Sequence, residues 1–199
     1  MEVFPFLPYV PDRKSVLRRL GSQKAQFSQG LETEIDGFMR QAQSAFSARG
    51  KAAVFSLRHI DASCIAIDGL EIASPQLARL LGNSRAVYLM GASIPDRDVE
   101  KIALAMRDGD GLKAIVFDAY ASEYVDGTLD VIMSRKNESL RRTGQKLTRH
   151  RYSPGYGDLD LKYQKAIFEL LDLSTLDVTI NENYLLSPEK SVIAIAGVE

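Results

Sequence analysis

One stretch of the chain stands apart from the rest: Arg151-Tyr152-Ser153-Pro154-Gly155-Tyr156-Gly157-Asp158. Pro154 fixes one backbone angle, whereas Gly155 and Gly157 permit positive φ values, so the segment can turn sharply and expose its amide groups. Arg151 can hold a carboxylate through two parallel hydrogen bonds, and Tyr156 offers a ring face together with a hydroxyl. This backbone suits the close approach of a flat ligand, although a Pro-Gly loop with a packed tyrosine is also ordinary surface architecture.

The composition of the whole chain narrows the classes of protein to consider. Its 199 residues suit one domain or two small ones. Its 25 Lys and Arg residues are balanced by 26 Asp and Glu residues, which argues against a general nucleic-acid binder. One cysteine, Cys64, excludes an internal disulfide framework, and two histidines leave little for a zinc site. The apolar stretches are shorter than the ~18 residues of a membrane span, and Met1–Pro11 is not built as a signal peptide. We therefore expect a cytoplasmic protein with no membrane or nucleic-acid partner.

The motifs of the common enzyme classes are missing from the sequence. It has no Walker A loop, no Gly-x-Gly-x-x-Gly after a strand, no His-Glu-x-x-His, no Cys-x-x-Cys and no Gly-x-Ser-x-Gly. Cys64 lies in an apolar strand candidate, where we expect an inert buried thiol. Composition and motifs alone therefore indicate a class of fold but no function.

Hydrophobic periodicity and turn residues predict a mixture of helices and strands. Helices are expected over Asp12–Leu20, from Leu31 towards Gly50, and over Pro75–Leu81, Pro95–Met106, Leu112–Met133 and Leu161–Leu171. Strands are expected over Ala52–Leu57, Ser63–Ile67, Leu70–Ile72, Arg85–Met90, Val178–Leu186 and Ser191–Val198. Because βαβ alternation is not regular, we expect a single α+β domain with a largely antiparallel sheet flanked by helices. Within residues 1–199, we expect a helical lead-in over 1–50 and an α+β body over 51–199, with the ligand loop at 151–158.

Three segments of the C-terminal third follow one another at a specific spacing: Arg151–Asp158, the helix ending at Leu171, and Leu185–Val192. The order is Arg-x-x-x-Gly-Tyr, a helix, and then a strand pair around Pro-x-x-Ser-Val. It resembles the activation domain of cobalamin-dependent methionine synthase, above all the stand-alone versions of that domain. The similarity is specific over roughly Arg149–Gly197, and Asp12–Gly21 looks like the opening of the stand-alone form.

The resemblance implies a function in methionine biosynthesis. The family's activation domain binds S-adenosylmethionine (AdoMet) and supports the reductive remethylation, or reactivation, of cob(II)alamin on methionine synthase. Here the chain would act in trans as an accessory subunit of a methyltransferase system, inactive alone. Cobalamin would be carried by the synthase or a related corrinoid protein, and electrons would come from a flavodoxin-like donor. Methyl transfer from a sulfonium is an in-line displacement that depends mainly on positioning, so a protein without catalytic acids or bases suits it.

The resemblance also implies which loop residues hold AdoMet. Arg151 matches the arginine of the motif and would pair with the ligand's carboxylate. Ser153 and Gly155 would offer backbone groups to the adenosyl portion, with Pro154 between them in the same binding loop. Tyr156 would pack against the adenosyl portion.

An acidic side chain from the long helix completes the implied site. Asp126 is the best match and Glu123 the second, because a carboxylate suits the ligand's ammonium and sulfonium charges. The alternative for Asp126 is a solvated helix residue beside Gly127. The family also places a tyrosine beyond its last strand and an acid near its start, and neither has a match here. Affinity for AdoMet is therefore expected to be weaker, completed by a partner, or lost.

A basic stretch adds a hypothesis about partners. Seven cations, opposed only by Glu138, fall within 17 residues: Arg135, Lys136, Arg141, Arg142, Lys146, Arg149 and Arg151. Such a stretch is typical of a solvated basic face. It would also serve as a docking surface for an acidic electron donor or corrinoid module.

Two other functions remain open from the sequence. The chain could be a non-catalytic module that keeps the fold to bind a corrinoid protein but no longer binds AdoMet. It could also be an unrelated small-molecule-binding protein whose Pro-Gly loop is coincidental.

Overall fold

The computed structural model describes residues 1–21 and 27–199, and within them one antiparallel sheet organises the molecule. The strands are β1 (Glu2–Phe4), β2 (Arg49–His59), β3 (Cys64–Ile67), β4 (Leu70–Ala73), β5 (Ala86–Ser93), β6 (Thr179–Ile180), β7 (Leu186–Ser187) and β8 (Ser191–Val198). Six of them form the main sheet in the order β4-β3-β2-β5-β8, with β1 pairing with the first part of β2. Strands β6 and β7 form a separate hairpin.

Six α-helices accompany the sheet in the same described residues. They are α1 (Arg13–Arg19), α2 (Gln29–Ala45), α3 (Pro75–Leu80), α4 (Asp96–Arg107), α5 (Gly111–Leu140) and α6 (Tyr163–Leu171). Four of them begin at a side chain that accepts a hydrogen bond from the first turn: Asp12, Ser28, Ser74 and Asp110. These caps satisfy backbone N–H groups that have no partner within the helix, so the polar residue fixes where each helix starts.

Each face of the sheet carries its own hydrophobic cluster, because successive side chains of a strand point to opposite faces. In β5, Tyr88 and Met90 belong to the cluster covered by α2, α4 and α5. Val87 and Leu89 belong to the cluster covered by α3 and α6. The expected fold, a single α+β domain with an antiparallel sheet flanked by helices, is confirmed.

Three features of this fold differ from the expectations or add to them. The single strand expected over Val178–Leu186 is instead two short strands, β6 and β7. The Asn181 side chain accepts hydrogen bonds from the backbone N–H groups of Asn183 and Leu185 and closes the turn between them. Helix α5 continues to Leu140, beyond the expected end near Met133, so part of the basic stretch is helical. Strand β1 was not expected and brings residues near the N-terminus into the main sheet.

The chain after α5 covers the outer edge of β8. The backbones of Lys146 and Glu199 exchange two hydrogen bonds, of 3.0 and 2.8 Å, and Thr148 donates to Gly197 at 2.9 Å. This pairing carries the backbone directly to Arg151, so the sheet edge positions the start of the 151–158 loop. In the described residues, no helix combines the length and apolar character needed to cross a bilayer.

Candidate functional site

The 151–158 loop is a tight turn anchored on the sheet. Tyr152 and Ile195 of β8 exchange backbone hydrogen bonds of 2.9 and 2.8 Å. Gly155 has φ +87° and donates its N–H to the Leu159 carbonyl at 2.8 Å. Gly157 has φ +54°, and a Cβ atom there would lie 2.0 Å from the Tyr152 hydroxyl oxygen. The two glycines are therefore required by the path of the backbone, as the sequence indicates.

The far end of the loop is tied to α3. The Asp158 carboxylate accepts hydrogen bonds from the Ser74 hydroxyl and, at 2.9 Å, from the Gln76 backbone N–H. The Tyr152 hydroxyl donates to Gln76 Oε1 at 2.7 Å. The Ser74 hydrogen bond contributes most to holding the pKa of Asp158 below its usual value. One end of the loop is thus fixed by β8 and the other by α3.

Arg151 connects the loop to α5. Its Nη2 lies 3.0 Å from Asp126 Oδ1 and donates to the Asp126 backbone carbonyl at 3.1 Å, and its Nη1 pairs with the Asp130 carboxylate. Burial, the largest influence, lowers the pKa of the Arg151 guanidinium, but the carboxylates of Asp126 and then Asp130 outweigh it. The net effect is a raised pKa, so Arg151 is a fixed positive charge.

A cleft of about 560 Å³ opens where this ion-pair cluster meets the loop and β8. Its lining comprises Asp126, Asp130, Arg149, His150, Arg151, Tyr152, Ser153, Tyr156 and Val192. The Tyr156 side chain is 70% exposed, so its ring is open to a ligand. Carboxylates and a guanidinium group lie side by side in the lining of the cleft, which suits a ligand carrying both signs of charge.

Four of the site residues expected from the sequence line this cleft together: Arg151, Ser153, Tyr156 and Asp126. Pro154 is buried under the loop and Gly155 is exposed at its bend. Glu123 lies elsewhere on α5, where its carboxylate pairs with Arg19 of α1 at 2.5 Å. In the described part of the chain, no group of three or more His, Cys, Asp or Glu side chains is placed to hold a metal ion.

Two residues near the cleft were missed from the sequence. Asp130 follows Asp126 by one helical turn, and this spacing was the available signal for it. Tyr9 packs its ring on α5 at Gly127, where a Cβ atom would lie 2.1 Å from the ring. Burial raises the pKa of the Tyr9 phenol, and the negative charge of Asp130 raises it further.

Five of the seven cations in the basic stretch are exposed, and Lys136 and Arg151 are partly buried. Four of its cations have contacts within the molecule: Arg135 over the Phe4 ring, Lys136 with Glu2, Lys146 with Glu199, and Arg151 in the cleft. Arg141, Arg142 and Arg149 are the exposed cations outside these four contacts.

Comparison with known proteins shows which solved structure has a similar fold. No family model matches the sequence, and no curated protein matches it. The crystal structure of the MetH reactivation domain bound to AdoHcy is similar to this chain, with a TM-score of 0.62 and 16% identity. The similarity covers 85% of this chain, and the chain spans only 64% of that structure. The fold is thus that of a methionine synthase activation domain, as the resemblance implied, and at this identity only the fold is shown.

Proposed function

We propose that this chain binds AdoMet in the cleft beside Arg151. In this proposal it supports, in trans, the reductive remethylation of cob(II)alamin on a cobalamin-dependent methionine synthase. The observation that supports the proposal is the convergence of Arg151, Asp126, Ser153 and Tyr156 in one cleft. The fold is similar to that of a reactivation domain bound to AdoHcy. A volume of about 560 Å³ lies in the range of small-molecule sites.

The residues of the cleft match the chemistry of AdoMet. The Arg151 guanidinium suits the ligand's carboxylate, and the half-exposed Asp126 carboxylate suits its ammonium or sulfonium charge. The exposed ring of Tyr156 offers a stacking surface for adenine. Ser153 would contribute a backbone group of the turn. Gly155 would contribute its carbonyl, because its N–H donates to the Leu159 carbonyl. The chain's own task is therefore to bind and orient the methyl donor.

The remaining chemistry would come from partners. A corrinoid carried by the synthase would supply the nucleophile for the methyl group, and a flavodoxin-like protein would supply the electron. The exposed Arg141, Arg142 and Arg149 are the candidates for contact with such acidic surfaces.

One observation favours the alternative of a corrinoid-protein-binding module that has lost AdoMet binding. Arg151 already pairs with both Asp126 and Asp130, so its charge is satisfied without any ligand. An arginine whose charge is neutralised by aspartates of the same chain would be stable in a protein that no longer binds the methyl donor.

Calorimetric titration separates these functions. We expect AdoMet and AdoHcy to give a heat of binding with the wild type. Tyr156→Ala should weaken the affinity about tenfold, because a stacked base contributes about 1–3 kcal/mol. Phe6→Ala, which removes another exposed aromatic ring outside the cleft, should leave the affinity unchanged. Arg151→Gln should also weaken binding, whereas Arg13→Gln, which breaks the ion pair with Asp36, should not.

The absence of any heat with the wild type would contradict the proposal. A pull-down with cobalamin-loaded methionine synthase would then distinguish the remaining functions. Capture of the synthase supports the corrinoid-binding module, and failure to capture it points to an unrelated binding protein.

A further inference from the structure

The two acids that hold Arg151 are not equivalent. Asp126 contacts the guanidinium through its carboxylate and also through its backbone carbonyl, which is fixed in α5. Asp130 contacts it through the carboxylate alone, and its side chain is 61% exposed. Asp130 is therefore the partner that can leave Arg151 by a side-chain rotation, with no change in the helix.

A ligand carboxylate needs the same donors that these acids occupy. A guanidinium binds a carboxylate best through two N–H groups lying side by side in its plane. Both terminal nitrogens of Arg151 already pair with aspartates. A carboxylate that binds Arg151 end-on, through both terminal nitrogens, must therefore displace one of these aspartate carboxylates.

The surroundings offer the displaced Asp130 a new partner. The Tyr9 ring is held against Gly127, three residues before Asp130 on α5. Residues three apart on a helix lie on the same face, so the Tyr9 ring and the Asp130 side chain are neighbours on α5. The charge of Asp130 also raises the pKa of the Tyr9 phenol. The Tyr9 O–H group can donate a hydrogen bond to a carboxylate, which makes it the candidate partner for an Asp130 side chain that has left Arg151.

We propose that Asp130 is an internal competitor that determines the specificity of the cleft for ligands with a carboxylate. The ligand's carboxylate displaces Asp130 from Arg151, Asp126 stays in place, and the Asp130 carboxylate turns to the Tyr9 hydroxyl. This inference rests on the proposed function, because it concerns the same cleft and the amino-acid end of the same class of ligand. Asp130 thus lowers the affinity for carboxylate-bearing ligands and does not affect analogues that lack this group.

Two ligands and two matched variants test the proposal by calorimetry. AdoHcy carries the amino-acid end, whereas 5′-methylthioadenosine keeps the nucleoside thioether and lacks the carboxylate. Asp130→Asn should bind AdoHcy about two- to fivefold more tightly than the wild type, because the Asp130 carboxylate that it neutralises is 61% exposed and its ion pair is correspondingly weak. Its affinity for 5′-methylthioadenosine should not change. Asp36→Asn, which breaks the 2.7 Å pair with Arg13 outside the cleft, should change neither affinity.

A double-mutant cycle tests the part assigned to Tyr9. Tyr9→Phe keeps the ring on Gly127 and removes the hydroxyl that would receive Asp130. It should weaken AdoHcy binding about twofold in the wild-type background and have no effect in the Asp130→Asn background. Asp130→Ala, which removes the acceptor altogether, repeats the measurement if the Asn variant unfolds at a lower temperature.

The possible failures can be told apart. Unchanged or weaker AdoHcy binding by Asp130→Asn overturns the competition, and the proposed function stands as long as the wild type binds. An equal gain for both ligands also overturns it, because it shows a general loosening of the cleft. Absence of wild-type binding to either ligand overturns the proposed function and this inference together.

Discussion

Gly157 shows how narrowly single residues constrain the loop. Its φ is +54°, and a Cβ atom would lie 2.0 Å from the Tyr152 hydroxyl oxygen and 2.6 Å from Gln76 Oε1. A side chain there would therefore break the Tyr152–Gln76 hydrogen bond that ties the loop to α3. The glycine is required by its backbone conformation and by the space around it.

Gly157→Ala should lower the free energy of unfolding by about 2–3 kcal/mol, since it adds a steric clash to left-handed backbone strain. Gly144→Ala is the matched control, with φ +69° and nothing within 4 Å of the added Cβ. It should cost only about 1 kcal/mol, the strain alone. Urea unfolding followed by circular dichroism measures both values. Equal losses in the two variants would show that the clash at position 157 does not contribute.

The anchor at Asp158 gives the loop a dependence on pH. The hydrogen bond from Ser74, then that from the Gln76 backbone, hold the pKa of Asp158 below its usual value. A lowered native pKa means that the stabilisation is complete above the unfolded pKa of about 4 and is lost as the pH falls through the native pKa. The stability difference between the wild type and Asp158→Ala should thus be constant near neutrality and shrink below about pH 4. A difference that grows in acid would contradict the anchor.

At the scale of elements, α5 contains a glycine in its middle, at position 127, because the Tyr9 ring of the N-terminal segment packs there. Glycine costs about 1 kcal/mol relative to alanine inside a helix. At Gly127, however, the Tyr9 ring lies where a Cβ atom would be, at 2.1 Å. The N-terminal segment thus packs directly on the helix that carries Asp126 and Asp130.

Gly127→Ala should therefore destabilise the protein by about 1–3 kcal/mol, because the overlap with Tyr9 outweighs the better helix propensity. Gly111→Ala, at the first residue of α5 with open space around it, should cause no loss. In a Tyr9→Ala background the same Gly127→Ala change should become neutral or stabilising. Thermal unfolding measures this cycle, and a loss that persists without the Tyr9 ring would contradict the explanation.

The sequence predicts the start of a helix where the start depends only on neighbouring residues. Asp12 and the Ser74-Pro75 pair marked the starts of α1 and α3, because capping depends on neighbours within one turn. The strand expected over Val178–Leu186 is correct only at its ends, in β6 and β7. Its apolar pattern carried no information about the hydrogen bonds of the Asn181 side chain, which close the turn between them.

The residues of the candidate site also fall into two groups, those that the sequence predicts and those that only the structure brings together. The Pro-Gly loop and its arginine could be found from the sequence, and Asp126 came from the resemblance. The pairing of Asp130 with Arg151 joins residues 21 positions apart, and only the tertiary structure brings them together. The contact of Tyr9 with α5 likewise has no local signal except the glycine at 127.

At the scale of the whole molecule, the two hydrophobic clusters share their strands. In β5 and β8, alternate residues such as Tyr88 and Ala196 serve one cluster, and Leu89 and Ile195 serve the other. Loss of packing in one cluster therefore destabilises β5 and β8, whose other side chains form part of the second cluster. We expect the helices of both faces to unfold together with the sheet.

Cavity-forming substitutions on opposite faces test this coupling. Leu129 on α5 and Ile167 on α6 are fully buried, one in each cluster. Leu129→Ala and Ile167→Ala should each lower the free energy of unfolding by about 2–5 kcal/mol. Ile115→Ala, at a 48% exposed position of α5, should change it little. In native-state hydrogen exchange, the slowest amides of α5, β5 and α6 should lose the same protection in either buried variant, because they exchange through global unfolding. An α6 that kept its protection in Leu129→Ala would show that the two faces unfold as separate units.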